Sequence, residues 1–210
     1  MNKKRFAILA LATLPLLAAE PLTYSCHRPA VAPVIDGKVT ADPGWRGIPG
    51  VTGFCKLGSD YTMAKQSIAM VCWGDEALTI AMVCEEPDAA KLKPVIKDGG
   101  QTWTEDSVEI FIQPDPKSSP FQIGVTCGGA KGAGVGSPDI AKCQAAAFID
   151  KNTYELELRI PYAALGTTKP ADSATWRIAF CRNTWTTDSG GDKFTSWPPL
   201  QSRFLEPENF

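Results

Sequence analysis

Past residue 20 the chain carries no sustained helical period, only short β-like runs set off by turn residues. Residues 67–73 and 77–84 are apolar on both faces and flank Gly74-Asp75-Glu76, the pattern of a hairpin of central strands. Residues 107–113 alternate, with Val108, Ile110 and Ile112 on one face and Ser107, Glu109 and Phe111 on the other. Runs at 121–127, 143–149, 153–160, 176–182 and 194–197 follow, and residues 161–165 suit one helical turn. Eighteen glycines and seventeen prolines supply the turns between them. Many short strands in one chain of 210 residues predict an all-β, antiparallel, jelly-roll-like β-sandwich.

The start of the chain reads differently. Lys3, Lys4 and Arg5 precede an apolar stretch at 6–17, and Leu17-Ala18-Ala19 offers small residues for cleavage before Glu20. Residues 1–19 are therefore expected to be a signal peptide, 20–30 an N-terminal tail and 31–210 one β-sandwich domain, secreted or periplasmic. The apolar stretch is too short to span a bilayer, which takes about 20 residues, and no later stretch could cross a membrane.

A formal charge of -2 provides no basic excess for counterion release, which argues against a nucleic-acid partner. The single histidine, His27, excludes chemistry that needs a histidine base and a second histidine, or a His-rich metal site, and in the tail it is a poor base for a Ser or Cys nucleophile. The seven cysteines include no CxxC pair. Export permits disulfides. Cys127 and Cys143 flank a glycine-rich segment between two strand-like runs. If those runs form a hairpin centred near Val135, the two sulfurs face each other. A bridge there would close about 15 residues and stabilise by roughly 3 kcal/mol. Cys26 and Cys55 have no assignable partner, nor do Cys72, Cys84 and Cys181, which read as buried thiols within apolar strands.

The order of motifs is familiar. Pro33-Val34-Ile35-Asp36-Gly37-Lys38 followed by Trp45 resembles the opening of family 9 carbohydrate-binding modules. The hairpin at 71–80 comes next, then Trp103-Thr104-Glu105-Asp106-Ser107-Val108-Glu109-Ile110-Phe111-Ile112, which looks like that family's most distinctive stretch. Residues 154–161 resemble its Tyr…Glu…Ile-Pro strand, and Thr195-Ser196-Trp197 with 204–210 resemble its closing segment. Leu205 stands where the family often has histidine, and the sequence ends at Phe210 where the family usually continues into a further strand. The resemblance implies an antiparallel β-sandwich that accompanies xylan- and cellulose-degrading glycoside hydrolases. It also implies a reducing end of glucan or xylan gripped between two tryptophans, and structural calcium. Trp103 matches one of the two tryptophans and Glu109 a hydrogen-bonding partner.

Sugars have apolar C–H faces and polar rims, so a site for them mixes exposed aromatic rings with carboxylates, amides and arginine. Trp103, Glu105, Ser107, Glu109 and Phe111 share one parity and would share one face if the strand began near Trp103. The second ring is expected in Arg182-Asn183-Thr184-Trp185, with Trp197 as its competitor, while Trp45, Trp73 and Trp176 are assigned to packing. Asp98 and Gln101, just ahead of Trp103, hold hydroxyls or make the turn. Calcium would need clustered oxygens; Asp36, Asp42, Asp75 and Asp88 are available without forming a loop motif. The adjacent acids Glu105-Asp106 and Asp75-Glu76 point to opposite faces of a strand, so neither pair is a glycosidase dyad. The reading is a non-catalytic carbohydrate-binding domain that supports polysaccharide catabolism. Its rivals are a b-type haem domain using Met63, Met70 or Met82 as a ligand and an adhesion module with no sugar affinity.

Overall fold

The computed structural model describes residues 22–187 and 193–210; the expected signal peptide, 1–19, lies outside them. Among the described residues eleven strands run in chain order: β1 (Gly50–Val51), β2 (Cys55–Lys56), β3 (Ser67–Trp73), β4 (Ala77–Glu85), β5 (Ser107–Gln113), β6 (Phe121–Thr126), β7 (Lys131–Ala133), β8 (Gln144–Ile149), β9 (Thr153–Pro161), β10 (Arg177–Asn183) and β11 (Phe194–Trp197). They form two antiparallel sheets, ordered β1-β3-β4-β9-β8 and β2-β11-β10-β5-β6-β7. The chain is thus the expected antiparallel sandwich. The helical turn at 161–165 forms as a 3-10 turn over Tyr162–Leu165.

Alternation sets the core. Ile80 and Met82 of β4 and Leu156 and Leu158 of β9 face Ile110 and Ile112 of β5 and Phe180 of β10, all essentially inaccessible to solvent. β3 and β4 are apolar on both faces because both faces are covered. Val39, Trp45 and Ile48 from the segment before β1 pack on Cys72 and Ala81 behind the five-stranded sheet. Residues 22–30, read from the sequence as a tail, lie along this sheet too: the Trp73 amide donates to the His27 carbonyl at 3.1 Å, and the Val71 amide donates to the Tyr24 hydroxyl at 3.1 Å.

The covering segment is pinned by charge. Glu157, on the outer face of β9, is fully buried and accepts hydrogen bonds from the amides of Asp36 (3.0 Å) and Gly37 (2.8 Å) and from Trp45 Nε1 (2.7 Å). Glu155 accepts from the Thr40 amide at 2.9 Å and its hydroxyl at 2.7 Å. Gly37 makes the closest approach: its φ is +85°, and a Cβ there would lie 2.5 Å from the Ala147 carbonyl carbon. Both the left-handed backbone and the contact exclude a side chain. Gly37→Ala should therefore destabilise by about 2–4 kcal/mol, read as a lowered urea midpoint with unchanged slope.

The cysteine expectation fails on topology. β6 turns back onto β7, whereas β8 belongs to the other sheet and pairs with β9. Cys127 and Cys143 therefore end runs in different sheets. They do not face each other across a hairpin, and all seven cysteines are free thiols. Burial pushes the Cys127 thiol up to about 12 and the Cys143 thiol to about 11. No helix among the described residues is long and apolar enough to cross a membrane.

Candidate functional site

The outer face of the six-stranded sheet carries a cavity of about 440 Å³. Its floor comes from strand parity: Ser107, Glu109 and Phe111 point out of the sandwich while Val108, Ile110 and Ile112 fill its core. Neighbouring strands bring the amides. β10 places Asn183 opposite Ser107, and β6 places Gln122 opposite Phe111. Asn183 Nδ2 donates to Glu109 Oε1 at 2.8 Å and to Ser107 Oγ at 3.2 Å, and Gln122 Nε2 donates to Glu109 Oε2. Each carboxylate oxygen is thus held by one amide. Burial raises the Glu109 pKa above the ordinary glutamate value, against the opposing pull of those two hydrogen bonds.

The walls are aromatic. Trp103 and Trp185 both line the cavity, and the Trp185 Nε1–H donates to the Trp103 carbonyl at 3.0 Å. Trp185 is 40% exposed, which is unusual for so large an apolar ring. Its loop hangs on the buried Asp106, whose carboxylate accepts from the Trp185 amide at 3.0 Å, the Thr186 amide at 3.1 Å and the Thr186 hydroxyl. An edge-on chain of rings continues the wall, Trp185 to Phe194 at 6.0 Å and Phe194 to Phe204 at 5.8 Å. Lys193 Nζ sits 3.5 Å from the centre of the Trp185 ring, a cation–π contact. The C-terminal segment supplies Arg203, Phe204 and Leu205 to the rim.

Four of the eight residues predicted from the sequence meet here: Trp103, Glu109, Asn183 and Trp185. Trp103 arrives by another route than expected, from a 3-10 turn over Thr102–Thr104, because β5 begins only at Ser107. Glu105 turns away to accept from the amides of Val95 (3.0 Å) and Ile96 (3.3 Å).

The other four lie elsewhere. Arg182 follows its strand's alternation to the inner face, where Nη2 bonds Glu86 at 3.2 Å. Trp197 points into the core against Phe180, ring centres 6.0 Å apart. Asp98 pairs with Lys131 at 2.5 Å, which holds its carboxyl below the usual range. Gln101 is exposed and does not line the cavity. The sequence reading missed Gln122, Phe194, Arg203 and Phe204. Gln122 had a usable signal, its place on a strand adjacent to β5.

The acids offered for calcium serve as turn caps and surface partners. Asp42 accepts from the Gly44 amide at 2.7 Å and the Val34 amide at 2.8 Å, and Asp36 accepts from the Lys38 amide at 2.9 Å. Asp75 pairs with Arg28 and Lys169, and Asp88 with Lys91. Among the described residues no group of three or more His, Cys, Asp or Glu side chains is placed to hold a metal. Met63 and Met82 are buried and Met70 packs behind the five-stranded sheet, all away from the cavity lining.

A family model described as "Carbohydrate family 9 binding domain-like" matches residues 35–210. Among solved structures, the chain resembles a family 9 carbohydrate binding module from Caldicellulosiruptor kristjanssonii in complex with cellotriose, with a TM-score of 0.58 at 19% identity over 81% of this chain and 80% of that one. A module of that family and organism in complex with glucose gives 0.59 at 20% identity over 81% and 82%. A proposed carbohydrate-binding protein from Bacteroides uniformis gives 0.69 at 16% identity over 88% and 94%. At these identities the likeness is one of fold. No curated protein matches the sequence.

Proposed function

Because this chain belongs to the carbohydrate family 9 binding domain-like family, we propose that it is a non-catalytic module that holds a glucan- or xylan-type oligosaccharide in the cavity on the six-stranded sheet. One observation carries the reading: two tryptophans and an amide-held carboxylate, Glu109, open onto the same cavity. The rings offer flat apolar faces for sugar C–H bonds, and Glu109, Asn183 and Gln122 offer directed hydrogen bonds to hydroxyls. A volume of about 440 Å³ suits a small-molecule site, which runs to about 300–1,000 Å³. Glycoside hydrolysis needs a pair of carboxyl groups, about 5–9.5 Å apart. Among the described residues Glu109 is the one acidic residue of the cavity lining, which supports a binding role for it. The wider reading places the domain outside the cytoplasm, delivered by residues 1–19 and working beside a glycoside hydrolase in polysaccharide breakdown.

Titration calorimetry of the full chain with glucose, cellobiose and xylobiose tests the binding. At least one sugar should release heat, and Trp103→Ala and Trp185→Ala should each weaken it by about 1–2 kcal/mol, roughly tenfold. Absence of heat with all three sugars would defeat the proposal.

A further inference from the structure

Both tryptophans of the cavity are tied to one short segment, residues 102–106. Its first residue is seated by two missing side chains. Gly124 of β6 stands opposite Gly132 of β7, and the fully buried Thr102 packs over the pair. A Cβ on Gly124 would collide with Thr102 Oγ1, and one on Gly132 would lie 3.1 Å from Thr102 Cγ2. The end of the segment is fixed as well. The Cys127 amide donates to the Asp106 carbonyl at 2.8 Å, and the Glu105 carboxylate holds the Val95 and Ile96 amides. Trp103 lies between these fixed points, and none of them uses the Asp106 carboxylate.

That carboxylate is buried, and among the described residues every hydrogen bond it accepts comes from the Trp185 loop. The donors are the Trp185 amide at 3.0 Å, the Thr186 amide at 3.1 Å and the Thr186 hydroxyl. Hydrogen bonds to an ionised acceptor are the strong kind. Trp185 adds a second tie to the same segment, from its ring Nε1–H to the Trp103 carbonyl at 3.0 Å. The indole is thus held at its backbone and at its ring, and it cannot turn without breaking a bond. With Nε1–H engaged, the ring offers a sugar its apolar face. A ring ordered in advance also spares the complex the entropy of ordering it on binding.

We propose that Asp106 is a positioning residue of the sugar site: from the segment that carries Trp103, its carboxylate fixes the place of Trp185 before any sugar arrives. The inference rests on the reading that the cavity takes an oligosaccharide. Two measurements separate it from a purely structural role. In the full chain labelled with fluorotryptophan, the Trp185 resonance is assigned from its loss in Trp185→Phe. Without sugar, Asp106→Ala should move that resonance toward the position of the free amino acid. In titrations with glucose, cellobiose and xylobiose, Asp106→Ala should weaken the best-bound sugar roughly fivefold. The same change made in Trp185→Ala should cost less than about twofold, because the ring through which Asp106 acts is gone. Thr186→Val removes one donor at an exposed position and leaves both amides on the carboxylate. It should move the same resonance and weaken the same sugar roughly twofold, and it carries the test if Asp106→Ala does not fold. An unmoved Trp185 resonance in the folded variant would overturn the proposal, as would an equal loss of affinity with and without the Trp185 ring. A parent that binds none of the three sugars would defeat the sugar reading, while a moved resonance would still assign the placement of Trp185 to Asp106.

Discussion

Glu157→Ala should cost the fold about 3–5 kcal/mol, more than any ordinary surface change in this chain. Three donors converge on this carboxylate, the Asp36 and Gly37 amides and the Trp45 indole, and the side chain has no exposure to solvent. Truncation leaves those donors in a space closed by Val39, Trp45 and the back of β4, where water does not replace the lost acceptor. Glu157→Gln keeps the volume but turns one acceptor into a donor, facing either the backbone amides or the indole, so its cost should fall between parent and alanine. Urea unfolding followed by far-UV circular dichroism reads both. A loss under about 1 kcal/mol for alanine would mean that apolar packing alone holds the segment before β1. Asp36-Gly37, Trp45 and Glu157 lie far apart in the sequence, but in the fold they are one joint.

That joint shows where sequence reading stops. Strand runs at 67–73, 107–113 and 194–197 were legible to the residue because the period of two and the flanking turns fix them locally. β1, β2 and β7, of two or three residues, exist only by pairing with a partner and leave no local trace. Cys127 and Cys143 are close in sequence without a hairpin between them, because the chain crosses from one sheet to the other there. At the site, parity puts Glu109 on the outer face, where it lines the cavity. Parity within one strand does not say which face is outward, so Arg182 and Asn183 could not be told apart, nor Trp197 placed. Only the register of β10 against β5 sends Asn183 to Glu109 and Arg182 to Glu86.

The same carboxylate should make acid act in opposite directions on stability and on binding. Burial lifts Glu109 above its unfolded value, so the folded chain keeps a proton that the unfolded chain has released. The associated stability is fully present below the unfolded value of about 4.3 and is lost as pH rises through the raised folded value. Sugar hydroxyls need the ionised form, whose four lone-pair sites are only half used by Asn183 and Gln122. Through Glu109, lowering the pH through that window should therefore add to the stability of the fold and weaken the sugar. Glu109→Gln should remove the Glu109 share of both dependences, read as the difference between parent and variant. It should also cost about 1.5–3 kcal/mol of sugar binding, roughly 10- to 100-fold, because a charged acceptor is replaced by an amide whose NH₂ must face another amide. Thermal melts and sugar titrations on parent and variant across the window measure the two slopes. Parallel slopes, or a variant that binds as the parent does, would leave Glu109 as a buried member of the sheet with no hand in recognition.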